Sequence, residues 1–245
     1  MPKVGIVIIT YNQPDLLPRQ LDCLQRFCKD EYKVLVVDNS TNLEARTAIK
    51  YHSRNCSYIR AKASANNGSE SHAFAANLSY TKYKDDFDYL FWLDHDCFPF
   101  EAFSVAEILS GKVAAGLLQA KEKTYFWPGC FMVDCKQVKD VDFSVAAGLD
   151  TGGMTYKILE EHGGDNCVFF SEVHEQNPYF NKSRYNFYSV INGGFIHFIA
   201  ASNWNEQDHH QERVNSLFNV LHNKCEAARM ELPINRPVFS TTKTP

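Results

Sequence analysis

Two aspartates separated by one histidine, Asp94-His95-Asp96, close the most apolar stretch of the chain, Tyr89-Leu-Phe-Trp-Leu93. Carboxylates two residues apart at the end of a buried strand can face one divalent ion. Hard cations such as Mg2+ and Mn2+ take carboxylate oxygens and share their coordination shell with phosphates. An ion held there would neutralise a diphosphate leaving group. The same triplet also reads as a plain acidic turn after a strand. Further polar groups follow apolar runs in the same way: Thr10-Tyr11-Asn12 after Val4 to Ile9, and Asp38-Asn39-Ser40 after Val34 to Val37.

The elements that must position these groups are legible from periodicity. Val4 to Ile9 is rich in β-branched residues and reads as a strand buried on both faces. Thr10 or Asn12 is expected to cap the next helix and Pro14 to sit in its first turn, with Leu17, Leu21, Leu24 and Phe27 on one face. A second buried strand is expected at Val34 to Val37, a helix at Leu43 to Tyr51, a weaker strand at Tyr58 to Ala61, a helix at Ser69 to Tyr83 and a strand at Tyr89 to Leu93. Strands alternating with helices predict an α/β fold, a mainly parallel sheet covered on both faces. Ligands of such sheets bind beyond the carboxyl ends of the strands, where all of these polar groups fall. In the second half, strands are expected at Ala114 to Leu118, Cys130 to Val133, Val168 to Val173 and Phe195 to Ala200. Helices are expected at Thr151 to His162 and Glu206 to Arg229, and the tail after Pro233 should be poorly ordered.

Composition removes several classes. The 245 residues fit one large domain, and their net charge of −4 offers no basic surface for nucleic acid or an anionic membrane. No run approaches the ~20 apolar residues of a membrane helix, and the start is too short and too soon patterned for a signal peptide. Eight cysteines without a Cys-x-x-Cys pair point to free thiols in a reducing, cytoplasmic setting rather than to structural zinc or a disulfide frame.

Four blocks then occur in order: Val4-Gly-Ile-Val-Ile-Ile-Thr-Tyr-Asn12, Val34-Leu-Val-Val-Asp-Asn-Ser40, Asn67-Gly68 with Asn77, and Phe91-Trp-Leu-Asp-His-Asp96. Together they resemble the family-2 type of GT-A glycosyltransferase. The resemblance implies a GT-A fold, with a mainly parallel central sheet flanked by helices and a smaller mixed acceptor-side region. It places a nucleotide-sugar half at residues 1–100, an acceptor-binding and catalytic half of the same domain at 101–235, and a tail at 236–245. It implies that Thr10, Tyr11 and Asn12 line the nucleotide pocket, that Asp38 bonds the base, with uracil favoured, and that Asn67-Gly68 approaches the ribose or sugar. His72 would lie near the phosphates and His95 among the nucleotide-sugar contacts. Asp94 would touch ribose, sugar or metal, and Asp96 would be the principal ligand of Mn2+ or Mg2+. The residues by themselves leave plainer roles open: a turn-forming Asp38, an ordinary Asn-Gly turn, a surface His72.

The likeness is weaker further on. Trp127-Pro-Gly-Cys-Phe-Met-Val133 resembles the family's acceptor-side segment, which makes Trp127 a sugar or acceptor contact. Asp150 falls where the family places its catalytic base, although Thr-Gly-Gly follows here where many members carry a second acid, and an Asp there can equally cap a helix. His197, followed by small residues and Ser202, resembles a late histidine that completes the metal shell; a core histidine is the plainer role. Trp204 would stack on a sugar or pack against the last helix. Asp208-His209-His210-Gln211-Glu212 reads as solvated helix surface. The implied reaction is inverting transfer of a hexosyl, deoxyhexosyl or pentosyl group from a nucleotide-diphosphate sugar, UDP favoured, to a hydroxyl of a glycan, glycolipid or glycoprotein. A nucleotidyltransferase acting on a sugar phosphate would share the sheet and the Asp, but usually opens with a Gly-rich basic loop, which Thr-Tyr-Asn-Gln-Pro14 is not. A non-catalytic nucleotide-sugar-binding module remains a rival. A Rossmann oxidoreductase or methyltransferase lacks its Gly-x-Gly after the first strand.

Overall fold

The computed structural model describes residues 1–61, 68–146, 148–182, 184–201 and 208–231, with 229–231 by backbone alone. Its first half alternates as expected: β1 (Val4–Thr10), α1 (Leu16–Phe27), β2 (Tyr32–Asp38), α2 (Leu43–His52), β3 (Ser57–Arg60), α3 (Gly68–Tyr83) and β4 (Tyr89–Leu93). The second half adds β5 (Cys97–Pro99), α4 (Val105–Ile108), β6 (Ala114–Ala120), β7 (Thr124–Asp134), α5 (Tyr156–His162), β8 (Cys167–Phe170), β9 (Glu172–Gln176), β10 (Phe187–Ile191), β11 (Phe195–His197) and α6 (His210–Glu231).

A seven-stranded sheet runs β3-β2-β1-β4-β7-β6-β8, and a four-stranded sheet runs β5-β11-β10-β9. In the large sheet β3, β2, β1 and β4 are parallel, β7 is antiparallel to both its neighbours, and β8 is parallel to β6. The expected α/β class, a mostly parallel sheet flanked by helices, is therefore what the chain adopts, and the smaller sheet, expected to be mixed, is antiparallel throughout. The alternation of side chains in β1 supplies both faces. Val4, Ile6 and Ile8 join Leu16, Leu17, Leu24 and Phe27 of α1 on one side. Val7 and Ile9 join Ala75, Ala76 and Tyr80 of α3 on the other. Small residues on α3 let its axis come close to the strands.

Several boundaries differ from the sequence reading. The α1 N-cap is Asp15, not Thr10 or Asn12, so Pro14 lies outside the helix and Pro18 falls in its first turn. The stretch read as one strand at Val168 to Val173 is split at Ser171 between β8 and β9, which belong to different sheets. β11 stops at His197, because the chain turns there and Ala200 takes a positive φ of 57°. β5 and β10 carry no strong period of their own and were not foreseen. The segment at 208–212 is not wholly solvated. His210 is buried, and burial pushes its imidazole down to about 4, while Val214, Leu217, Val220, Leu221 and Cys225 dock α6 on the core. All eight cysteines are free thiols. Among the described residues no helix is long and apolar enough to cross a membrane.

Candidate active site

β1, β2 and β4 end at one rim. Thr10 stands opposite Asp38 across β1 and β2. β4 keeps parallel register with β1 through Val7 and Trp92, so the turn beyond Leu93 emerges beside Thr10. Hydrogen bonds then tie these loops together. Tyr11 N donates to His95 Nδ1 (3.0 Å) and Asn12 N to Ser40 Oγ (2.9 Å). Asn12 Oδ1 accepts from the backbone N–H of Thr41 and of Asn42, each at 3.0 Å. These bonds hold Asn12 in the left-handed region at φ 49°, which asparagine tolerates better than most residues.

Part of this rim faces inward. Asp38 is fully buried; its Oδ1 accepts from Ser40 N (3.0 Å) and its Oδ2 from the Tyr58 hydroxyl (2.7 Å). His95 is buried too, and burial pushes its imidazole below the ordinary value, so neutral Nδ1 serves as an acceptor inside the loop. From α1, the buried amide of Gln20 donates to the carbonyls of Asp94 (2.7 Å) and Cys97 (2.6 Å), bracing the turn from beneath. Asp38 and His95, expected among the nucleotide contacts, thus lie under the loops and order them.

The remaining carboxylates converge above. Asp94 Oδ1 lies 2.8 Å from His72 Nε2 of α3. Burial alone would lower His72, but Asp94, Asp96 and Asp150 together raise it above its ordinary value. Burial would raise Asp94, yet His72, His95 and His197 bring it below the usual carboxylate range. Asp96, only 5% exposed, has Oδ1 3.7 Å from His197 Nε2. Burial pushes His197 down to about 4, against the pull of Asp94 and Glu172, so its imidazole is neutral and able to act as a ligand. The Trp127 indole lies over that imidazole at 4.6 Å between ring centres. Among the described residues, no group of three or more His, Cys, Asp or Glu side chains is gathered as a ready metal site. Asp94 is spent on His72, which leaves Asp96 and His197 as a pair.

Asp150 arrives on the loop between β7 and α5. Its Oδ1 accepts from Thr151 N (2.7 Å), and its Oδ2 lies 3.8 Å from Lys121 Nζ. Thr151 Oγ1 donates to Ser69 O (2.9 Å), which fastens this loop to the first turn of α3. Gly148 and Gly152 flank Asp150 at φ 74° and 82°. A Cβ at Gly152 would lie 2.7 Å from the Pro128 ring and one at Gly148 2.6 Å from the Glu122 carboxyl carbon. Asp150 is therefore not a helix cap; Gly152 occupies the cap of the short 3-10 turn at Gly153–Thr155.

Residues 5–108 match the family model described as glycosyl transferase family 2. They are family-2-like. The match takes in less than half of the chain and stops short of Trp127, Asp150 and His197. Among curated proteins none matches. Similar solved structures include the mannosyltransferase PcManGT from Pyrobaculum calidifontis in complex with GDP-Man and Mn2+, at 13% identity and a TM-score of 0.49, over 69% of this chain and 54% of that one. Another is S. aureus TarS, at 12% identity and 0.47, over 68% of this chain and 35% of that one. A third is glucosyl-3-phosphoglycerate synthase from Mycobacterium tuberculosis in complex with Mn2+ and UDP-Glc, at 10% and 0.47, over 69% and 68%. The chain thus spans about half the length of the first of these and a third of the second.

The family-2-like stretch supplies Thr10, Tyr11, Asn12, Asp38, His72, Asp94, His95 and Asp96, and the fold brings Trp127, Asp150 and His197 to the same rim from outside it. Gly68 opens α3. Asn67 and Trp204 lie outside the described residues. Gln20, Tyr58 and Lys121 were missed by sequence reasoning. Gln20 falls on the apolar face of α1, where a buried amide is a signal in itself. Tyr58 and Lys121 carry no such mark.

Proposed function

We propose that the protein is a metal-dependent glycosyltransferase that moves a sugar from a nucleotide-diphosphate sugar, a UDP-sugar in the first instance, to an acceptor hydroxyl with inversion. The observation that carries this reading is geometric: at the carboxyl rim of the sheet Asp94 Oδ1 lies 2.8 Å from His72 of α3 and Asp96 Oδ1 3.7 Å from His197, and the loop that bears Asp150 is fastened to the first turn of α3 by the bond from Thr151 Oγ1 to Ser69 O. The donor would lie over the β1 and β2 loops, in the half up to residue 100, and the acceptor against Trp127 and Asp150 in the half from 101 to 235. The eight free thiols favour a reducing compartment such as the cytoplasm.

The donor set fits a divalent cation. A carboxylate and a neutral imidazole, Asp96 and His197, are close enough to share one ion, and such a site leaves the rest of the shell to phosphate oxygens and water. Mixed oxygen and nitrogen donors favour Mn2+ over Mg2+. When bound, the ion would offset the charge of the departing diphosphate. His72, lying 2.8 Å from Asp94 Oδ1, fixes Asp94 in one orientation on the donor side. Asp150 Oδ2 is the carboxylate oxygen not bonded to Thr151 N, and it takes the proton of the acceptor hydroxyl as that oxygen attacks the anomeric carbon. Trp127 presents its ring beside His197 and limits water at the reacting centre.

The test is a thermal-shift screen of UDP- and GDP-sugars with and without Mn2+. A ligand at a hundred times its Kd stabilises the native state by about 2.7 kcal/mol. A rise in Tm that needs both nucleotide sugar and Mn2+ is expected; no rise with any nucleotide sugar defeats the proposal.

A second expectation concerns Gly129. Its carbonyl accepts from Asp94 N (3.0 Å), and a Cβ there would fall within the Trp127 indole. Gly129→Ala should displace the ring from His197 and slow transfer by about a hundredfold, as misplacement by roughly 1 Å commonly does. Steady-state rates read beside the melting temperature check this; a native rate in the folded variant would show that the ring's position is immaterial.

A further inference from the structure

We propose that Arg213 is a positioning residue for Asp96 and His197, coupling the C-terminal helix to the metal-binding side of the site. The inference rests on the metal reading above. Arg213 stands in the first turn of α6 and is completely buried. A buried guanidinium is costly unless its donors are used, and here they are used on backbone from separate segments. Nε donates to Tyr185 O (2.6 Å), Nη1 to Ala200 O (3.4 Å) and Nη2 to Ile199 O. Ile199 and Ala200 form the turn beyond Phe198, the residue after His197, and Ala200 has the positive φ that an alanine adopts only when its surroundings hold it there. Tyr185 leads into β10, the neighbour of β11, with Ser189 opposite His197. One planar fork thus joins the turn after the strand that ends in His197 to the segment that enters its neighbour β10.

The charge of the fork matters as well as its shape. Burial lowers the Arg213 pKa from its ordinary value, and Asp96 is the carboxylate whose field opposes that shift. Phe198 N, one residue beyond His197, donates to Asp96 O (2.8 Å), so the same turn ties β11 to the Asp94–Asp96 loop. Val214, Leu217, Val220 and Leu221 also bury α6 against the core, so its docking has apolar support besides the guanidinium. A buried cation whose donors go to the turn beside a candidate ligand is what a positioning role leaves behind.

The experiment uses the full chain with Arg213→Lys, and Arg213→Met as a second variant. Lysine keeps the charge but cannot span carbonyls on separate segments with one ammonium. Hydrogen exchange is read in peptides covering 195–201 and in α6, and Mn2+ binding is read by loss of the free-ion electron-spin signal in the presence of UDP or GDP. In Arg213→Lys, exchange at 195–201 should quicken by about tenfold while α6 keeps its protection, and Mn2+ affinity should fall by about tenfold. Arg213→Met should move both further in the same direction. Native exchange at 195–201 in both variants overturns the proposal, as does native Mn2+ affinity in a variant whose 195–201 segment has loosened. Failure of the unaltered protein to take up Mn2+ with either nucleotide overturns the metal reading and with it the positioning role, and quickened exchange would then mark Arg213 as a brace of the fold alone.

Discussion

Asp150→Asn is expected to lower the rate of sugar transfer by about a hundred- to ten-thousand-fold, the usual worth of a positioned general base, while donor affinity stays within about twofold of the native protein. The side chain makes the prediction sharp. Oδ1 is held by Thr151 N at 2.7 Å, and asparagine can keep that bond through its amide oxygen. Only Oδ2, the atom facing Lys121, changes from an acceptor of protons to an N–H donor. Asp150 is about half exposed, so the substitution should leave stability within about 0.5 kcal/mol. Loop geometry is secured by Gly148, Gly152 and the bond from Thr151 to Ser69 O, none of which involves the carboxylate. The measurement is kcat against donor Kd, the latter from displacement of the nucleotide-sugar. An unchanged kcat in a folded variant removes Asp150 from the chemistry.

The first half of the fold was legible because its signals are local. Val4 to Ile9 and Tyr89 to Leu93 are apolar runs, and each gives way to a polar residue, Thr10 or Asp94, where the strand ends. The order of strands was not legible. Nothing local in Thr124 to Asp134 says that it inserts antiparallel beside β4, and that insertion is what carries Trp127 and Gly129 to the rim. The inward direction of Asp38 was also hidden, because it depends on Tyr58, a residue that β2–β3 pairing brings near. The backbone around Asp150 was not legible either: Gly148 and Gly152 take positive φ, and the close approach of Pro128, brought by β7, explains why a side chain is not tolerated at Gly152. Arg213 read as one charge in a polar helix, since burial of an arginine is decided by carbonyls supplied from elsewhere in the chain.

The pair Asp94 and Asp96 looks symmetrical in sequence, and the structure breaks that symmetry. Asp94 already has a partner in His72 at 2.8 Å, whereas Asp96 faces a neutral imidazole at 3.7 Å, a separation that leaves room for both to turn toward one ion. Asp96→Asn is therefore expected to cost more metal affinity than Asp94→Asn. We expect Asp96→Asn to weaken Mn2+ binding by about a hundredfold and to slow transfer by about a thousandfold, a loss of roughly 4 kcal/mol of transition-state stabilisation. Asn keeps the shape of Asp, and the bond that the Asp96 carbonyl accepts from Phe198 N is made by backbone, so β11 stays docked. The buried charge of Arg213 loses a favourable neighbour, but its carbonyl partners remain, which argues for a modest fall in Tm rather than unfolding. For Asp94→Asn the main consequence is a looser His72, felt as weaker donor binding at unchanged Mn2+ demand. Mn2+ titrations of the transfer rate in both variants, read beside their melting curves, separate the two roles. Equal Mn2+ demand in Asp96→Asn and the native protein would remove Asp96 as a ligand, and a larger shift in Asp94→Asn would reverse the assignment within the pair.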